Sequence, residues 1–191
     1  GLYSSPYANC YRCPLKLTYP DCGIACAEHL RQVIRYQTQG EIAAIIVEPI
    51  QGTAGNVAPP KGFLQAVQSI AREHGALLIA DEMLTGFGRS GSMWGCDHDG
   101  VVPDAMTVGK GIGGGFPLAA VISTDELTRH KPFSNPSGSS SSYGGNPLAA
   151  AAGLASLEII VKENLVRNSA RVGAVMLAKL ETLKEKYRFI G

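Results

Sequence analysis

The sequence has no apolar run near the ~20 residues that a bilayer span requires, and its start, "GLYSSPYANC", shows no signal-peptide pattern. Charge of one sign is missing too: 17 basic residues face 16 acidic ones, for a net +1. That balance gives no electrostatic argument for nucleic acid or a membrane surface as partner. No internal repeat is visible. His74, His98 and His130 are scattered, so no Ser–His–Asp type triad can be assembled from them. The loop "GIGGGFP" lacks both the strand–GxGxxG–helix context and the lysine–hydroxyl pair of a P-loop, which excludes nucleotide binding by those devices. There is no initiating Met, and the last residues, "YRFIG", read as the beginning of a strand. A piece of a longer polypeptide is the expectation.

Glycine, by contrast, is abundant. The 23 glycines in 191 residues exceed the usual ~7%, and they cluster between Gly86 and Gly115 and at Gly144–Gly145. Such clustering predicts close approach of backbone to a ligand. Four of five cysteines follow the pattern C-x2-C-x8-C-x3-C: Cys10, Cys13, Cys22 and Cys26. Two short pairs can supply four thiolates to one tetrahedral zinc ion, which would make the segment a zinc-bound interaction module. The alternative is free thiols in a reducing compartment, with the second pair on one face of a starting helix. A disulfide framework is disfavoured, since a chain this long can build a core without staples. The expected compartment is the cytoplasm or the mitochondrial matrix, not the secretory route.

Periodicity divides the chain into alternating strands and helices. Residues 25–39 predict a helix, with Leu30, Val33 and Ile34 at helical spacing and Gly40 as the stop. "IAAIIVEP" (42–49) is a continuous apolar run of strand length, as expected of a parallel strand covered on both faces. Residues 61–74 predict an amphipathic helix ended by Gly75. "ALLIADEM" (76–83), "DAMTVGK" (104–110) and "LAAVIST" (118–124) predict three further strands. The Ser/Gly/Pro-rich segment 132–145 predicts an ordered loop. Asn146–Pro147 forms an N-cap and N1 pair for a helix to about Val161, and a last helix runs from Asn164 to about Tyr187. The pattern predicts an α/β fold, a mostly parallel sheet with helices on both faces. Ligands in such sheets gather at the carboxyl ends of strands, where Glu48, Asp81 and Lys110 fall.

Lys110, on short glycine-rich backbone, is a candidate nucleophilic amine for imine chemistry, activated by apolar surroundings that disfavour the ammonium. Asp81, unpaired within its own segment, could favour protonation of a heterocyclic nitrogen and so make that ring an electron sink. Glu82 is expected to point the other way and pair with a cation such as Arg89. Together Lys110 and Asp81 suggest pyridoxal phosphate rather than a metal or a nucleotide.

Four blocks in order, "IIVEPIQG", "LLIADEMLTGFGRSG", "PDAMTVGKGIGGGFPLAAV" and "SYGGNPLAAAAGLASLEII", with Lys110 following Asp81 by 29 residues, resemble the class III (omega) aminotransferases of the fold-type-I pyridoxal-phosphate family. The likeness is strongest to members that accept pyruvate or glyoxylate. The resemblance implies that Lys110 carries pyridoxal 5'-phosphate as a Schiff base and, once released, shuttles the proton. It implies that Asp81 contacts the pyridinium nitrogen, that Met83 replaces the usual Val on the ring face, and that Ser142, in place of a Thr, reaches the cofactor phosphate of the neighbouring subunit in a homodimer. Glu48 is retained, either bonded to backbone or in contact with substrate. Leu84 stands where many members have a Gln that bonds the cofactor's phenolic oxygen. Thr53 replaces a Glu that many members use to restrain a carboxylate-binding arginine, which favours pyruvate- or glyoxylate-type partners over GABA- or ornithine-type ones. Residues 1–160 would be part of the large cofactor-binding domain, and 161–191 a linking helix and the start of a small C-terminal domain. The family's phosphate-cradling Ser-Gly turn, stacking aromatic and C-terminal arginine have no counterpart here, so the piece alone would be inactive. A phospho-lyase of the same fold, acting on an amino-alcohol phosphate, is the alternative enzyme.

Overall fold

A computed structural model describes residues 1–138 and 140–190. Its centre is a four-stranded sheet in chain order: β1 (Ala44–Val47), β2 (Leu77–Asp81), β3 (Ala105–Val108) and β4 (Ala120–Ser123). The first three strands are parallel and β4 is antiparallel to β3. Helices α1 (Ala25–Gln37) and α2 (Phe63–Glu73) flank β1 in the chain; α3 (Asp125–Arg129), α4 (Pro147–Lys162) and α5 (Leu165–Lys186) follow the sheet. The expected α/β class and mostly parallel sheet are therefore present.

The apolar periodicity of the first two helices becomes the core. Val33 and Ile34 of α1 and Phe63, Leu64, Val67, Ile70 and Ala71 of α2 are buried with Leu78 and Ala80 of β2. Burying side chains of this size stabilises by roughly 1.5–3 kcal/mol each. An ion pair of Arg31 with Glu73 joins the two helices at the surface. The expectation that the first strand is covered on both faces is not met within this chain: Ile46 is 63% exposed, and Val121 of β4 is 65% exposed. Alternation along β1 explains it, since Ile45 and Val47 face the α1–α2 layer and Ile46 the other side.

Carboxylates fix the joints. Helix α2 begins after Gly62, which has no capping side chain, and Asp99 substitutes for one from a distance. Its two oxygens accept the backbone N–H groups of Gly62 (3.2 Å) and Leu64 (3.1 Å). Asp104 likewise accepts the Leu78 N–H at 2.7 Å and sets β3 beside β2. Periodicity does not predict α3, a short helix capped by Thr124, whose hydroxyl accepts the Leu127 N–H at 3.3 Å.

Candidate active site

The register of β2 and β3 places Asp81 opposite Thr107, three residues before Lys110. The Thr107 hydroxyl donates to Asp81 Oδ1 at 3.1 Å, and the Met83 N–H donates to the same oxygen at 3.1 Å. Asp81 is therefore not unpaired within its own segment. The chain turns after the strand end and brings its own backbone to the carboxylate, as Asp commonly does at turns. Among the described residues nothing hydrogen-bonds Oδ2. Glu82 and Asp99 use both oxygens on donors of the fold, whereas the half-buried Asp81, like Glu48 and Asp104, accepts through one oxygen. Thr107, which fixes that oxygen of Asp81, escapes a reading of single segments. Setting the two strands side by side would have found it.

Lys110 opens a short 3-10 turn, Lys110–Gly113, and adopts φ +46°. This left-handed conformation costs a residue with a Cβ roughly 1–2 kcal/mol, and such strain concentrates at functional sites. Its side chain is exposed, so the apolar surroundings expected to disfavour the ammonium are not supplied by the described residues. Met83 packs against the residue before the lysine: a Cβ on the buried Gly109 would stand 2.4 Å from Met83 Cε and 2.7 Å from its sulfur. Asp81 and Lys110 thus lie at adjoining strand ends, with Met83 beside Gly109. Ser142 does not join them by any hydrogen bond among the described residues; it stands exposed on the approach to α4.

Glu82 overturns its expectation. It is 0% exposed and forms no pair with Arg89. Its carboxylate accepts the Thr85 hydroxyl and the backbone N–H groups of Gly95 (2.8 Å) and Cys96 (2.9 Å). The side chain does point away from Asp81, but into the protein, where three donors neutralise the cost of burying a charge. Burial, with Glu82 beside it, pushes the Cys96 thiol up from its ordinary value and keeps it neutral. Glu48 is bonded to backbone, accepting the Gly52 N–H at 2.9 Å. Leu84 packs against Gly52, with Cδ2 2.8 Å from where a Cβ would be. The two departures from the family pattern, Leu84 and the exposed Thr53, are therefore neighbours at one loop.

Several glycines of the cluster accommodate the protein's own groups, while Gly115 and Gly145 face open space. Gly114 faces Ser156 of α4, Gly95 fits between Pro49 and Thr85, and Gly88 and Gly91 take left-handed φ of +88° and +91° against Val166 and Ala170 of α5. The bend after Asp81 is thus the seat of α5, and Ser169 there donates to the Arg89 carbonyl at 3.1 Å. Gly109→Ala should cost about 1–3 kcal/mol by overpacking, seen as a lower urea midpoint with an unchanged slope. Adding Met83→Ala, which clears the contact, should recover part of that loss.

The description "Aminotransferase class-III" matches residues 4–191, and the chain belongs to that pyridoxal-phosphate-dependent family. It is 37% identical over 187 residues to a leucine/methionine racemase of Thermococcus litoralis, spanning 97% of this chain and 42% of that protein. It is 42% identical to a mitochondrial alanine–glyoxylate aminotransferase 2 homolog of Arabidopsis thaliana, over 93% of this chain and 37% of that one. Among solved structures, an amine transaminase from an uncultivated Pseudomonas species, described as PLP-bound, superposes with a TM-score of 0.86 at 37% identity, covering 95% of this chain and 42% of that one. The chain thus spans about two fifths of the length of these relatives. The residues fit such a cofactor: a carboxylate oxygen without a partner among the described residues, a lysine exposed on left-handed backbone, and a thioether beside Gly109. No three His, Cys, Asp or Glu side chains among the described residues converge to hold a metal ion, so the geometry lends the zinc module no support. No helix among them is long and apolar enough to cross a membrane.

Proposed function

We propose that the protein is a pyridoxal-phosphate-dependent aminotransferase that moves an amino group from an amino acid or omega-amine to a 2-oxo acid such as pyruvate or glyoxylate. The observation that carries this reading is the pairing of Asp81 with Thr107, three residues before Lys110, at adjoining carboxyl ends of β2 and β3. Pyridoxal phosphate, when bound, supplies a protonated ring that accepts the electron pair released at the substrate's α-carbon. Asp81 Oδ2 holds the proton on the ring nitrogen, while Thr107 and the Met83 N–H keep the carboxylate from turning. The Lys110 amine would be the nucleophile that holds the cofactor and would also serve as the base that moves a proton at the substrate carbon. Met83 would help to hold the cofactor ring, and Ser142 would contribute its hydroxyl to the phosphate of a neighbouring copy in a homodimer. Thr53, where many members have a Glu that restrains a carboxylate-binding arginine, favours pyruvate- or glyoxylate-type partners. Residues 1–160 contribute to the cofactor domain, and 161–191 lead into a smaller one.

The test uses the full-length protein loaded with cofactor and a panel of amino donors. Keto-acid formation is expected only when pyruvate or glyoxylate is present to receive the amino group. Product formed without an acceptor, with phosphate released, would identify a phospho-lyase. Loss of optical activity with no keto acid formed would identify a racemase instead.

A further inference from the structure

The cysteine-rich segment takes no part in the site around Lys110. All four of its thiols nevertheless line one small recess of about 20 Å³, with Leu15 and Ile24 among its apolar walls. Cys10 is exposed, and Cys13, Cys22 and Cys26 are half-buried; all are free thiols. The sulfurs affect each other. Burial first, then Cys22 and then Cys13, push the Cys10 thiol up, and burial, followed among the thiols by Cys10 and Cys22, does the same to Cys26. Thiols held in the neutral form are poor metal ligands, and no three metal-ligating side chains converge among the described residues; exchange through the small thiolate fraction is slow but still reaches equilibrium. Enclosure in one recess gives them something different. A second thiol beside the first acts at a high effective concentration, so a mixed disulfide on one is resolved by the other.

We propose that Cys10 and Cys22 form a reversible thiol–disulfide pair that exchanges with low-molecular-weight disulfides. Cys10 is the entry point because it alone of the four is exposed; of the three thiols that share its recess, Cys22 is the one that acts on it most strongly. The Cys10 thiolate attacks one sulfur of the external disulfide, whose S–S bond breaks and releases one thiolate. The Cys22 thiolate then attacks Cys10 Sγ and expels the second thiolate. Two electrons and two protons pass from the cysteines to two external thiols, and one protein disulfide results. The bond closes the loop that leads from Tyr7 into α1. Tyr7 is itself fixed, its hydroxyl donating to the carbonyls of Glu48 and Pro49 at 3.1 Å, so the linkage would tie the start of α1 to the end of β1.

The experiment equilibrates the full-length protein with graded mixtures of glutathione and its disulfide, alkylates the remaining thiols, and maps cysteine peptides by mass spectrometry. A linked Cys10–Cys22 peptide, about 2 Da lighter than the sum of its reduced parts and reopened by dithiothreitol, is expected under oxidising mixtures. In Cys22→Ser the resolving thiol is gone, and Cys10 should accumulate as a stable glutathione adduct. The proposal is overturned if both cysteines stay alkylatable at every ratio, if the bond joins other pairs, if Cys22→Ser leaves no adduct on Cys10, or if the reduced protein carries about one zinc per chain. None of these readouts depends on aminotransferase activity.

Discussion

Lys110→Ala in the full-length protein is expected to abolish the visible absorbance of lysine-bound cofactor and to lower turnover by at least about 10³-fold, the scale for removal of a nucleophile that also moves a proton. The same substitution should not lower stability. Alanine at φ +46° keeps the strain of the left-handed backbone, and the exposed amine forms no hydrogen bond or ion pair among the described residues. Asp81→Asn separates the two roles. It should keep the visible band, because the amine is intact, and lose about 10²–10³-fold in turnover, the worth of one fixed charge-assisted contact that matters most as charge develops. Absorbance that survives Lys110→Ala would remove the lysine from the mechanism, whatever the activity does.

Glu82→Ala should be the most damaging substitution for the fold. It leaves the Gly95 and Cys96 N–H groups and the Thr85 hydroxyl without an acceptor in a buried place. Each stranded donor costs about 1–3 kcal/mol, so a loss of about 3–5 kcal/mol, enough to unfold many domains, is expected in chemical denaturation. Arg89→Ala is the control. Arg89 is exposed and not paired with Glu82, so its removal should stay within about 0.5 kcal/mol. A comparable loss at Arg89 would restore the ion pair that adjacency in the sequence suggested.

That contrast shows how far the sequence reaches. Apolar runs and helical spacing located the strands and the long helices to within a few residues, because burial imposes those periods on any chain. The strand ends then pointed to Asp81 and Lys110, since parallel sheets gather chemistry there. Partners that depend on register or on returning loops were not legible. Thr107 meets Asp81 only because β2 and β3 align as they do, and Gly95 and Cys96 reach Glu82 only after the chain has looped back. Nor could adjacency reveal that Asp99 caps a helix more than thirty residues earlier. The strain at Lys110 is likewise a property of the backbone, without a signature in residue type.

The close contacts at Gly109 and Gly52 have a consequence for how such chains can diverge. At each place a residue without a side chain meets a larger one, Met83 or Leu84. The sizes are complementary, so neither member is free to drift by itself. A lineage that enlarges one must first shrink its opposite, and the order matters, because the reverse path passes through a clash. Position 83 beneath the lysine loop is therefore coupled to position 109. Where a relative carries a smaller side chain than Met at the former, alanine becomes admissible at the latter, and the ring-facing residue and the backbone leading to the lysine change as one unit.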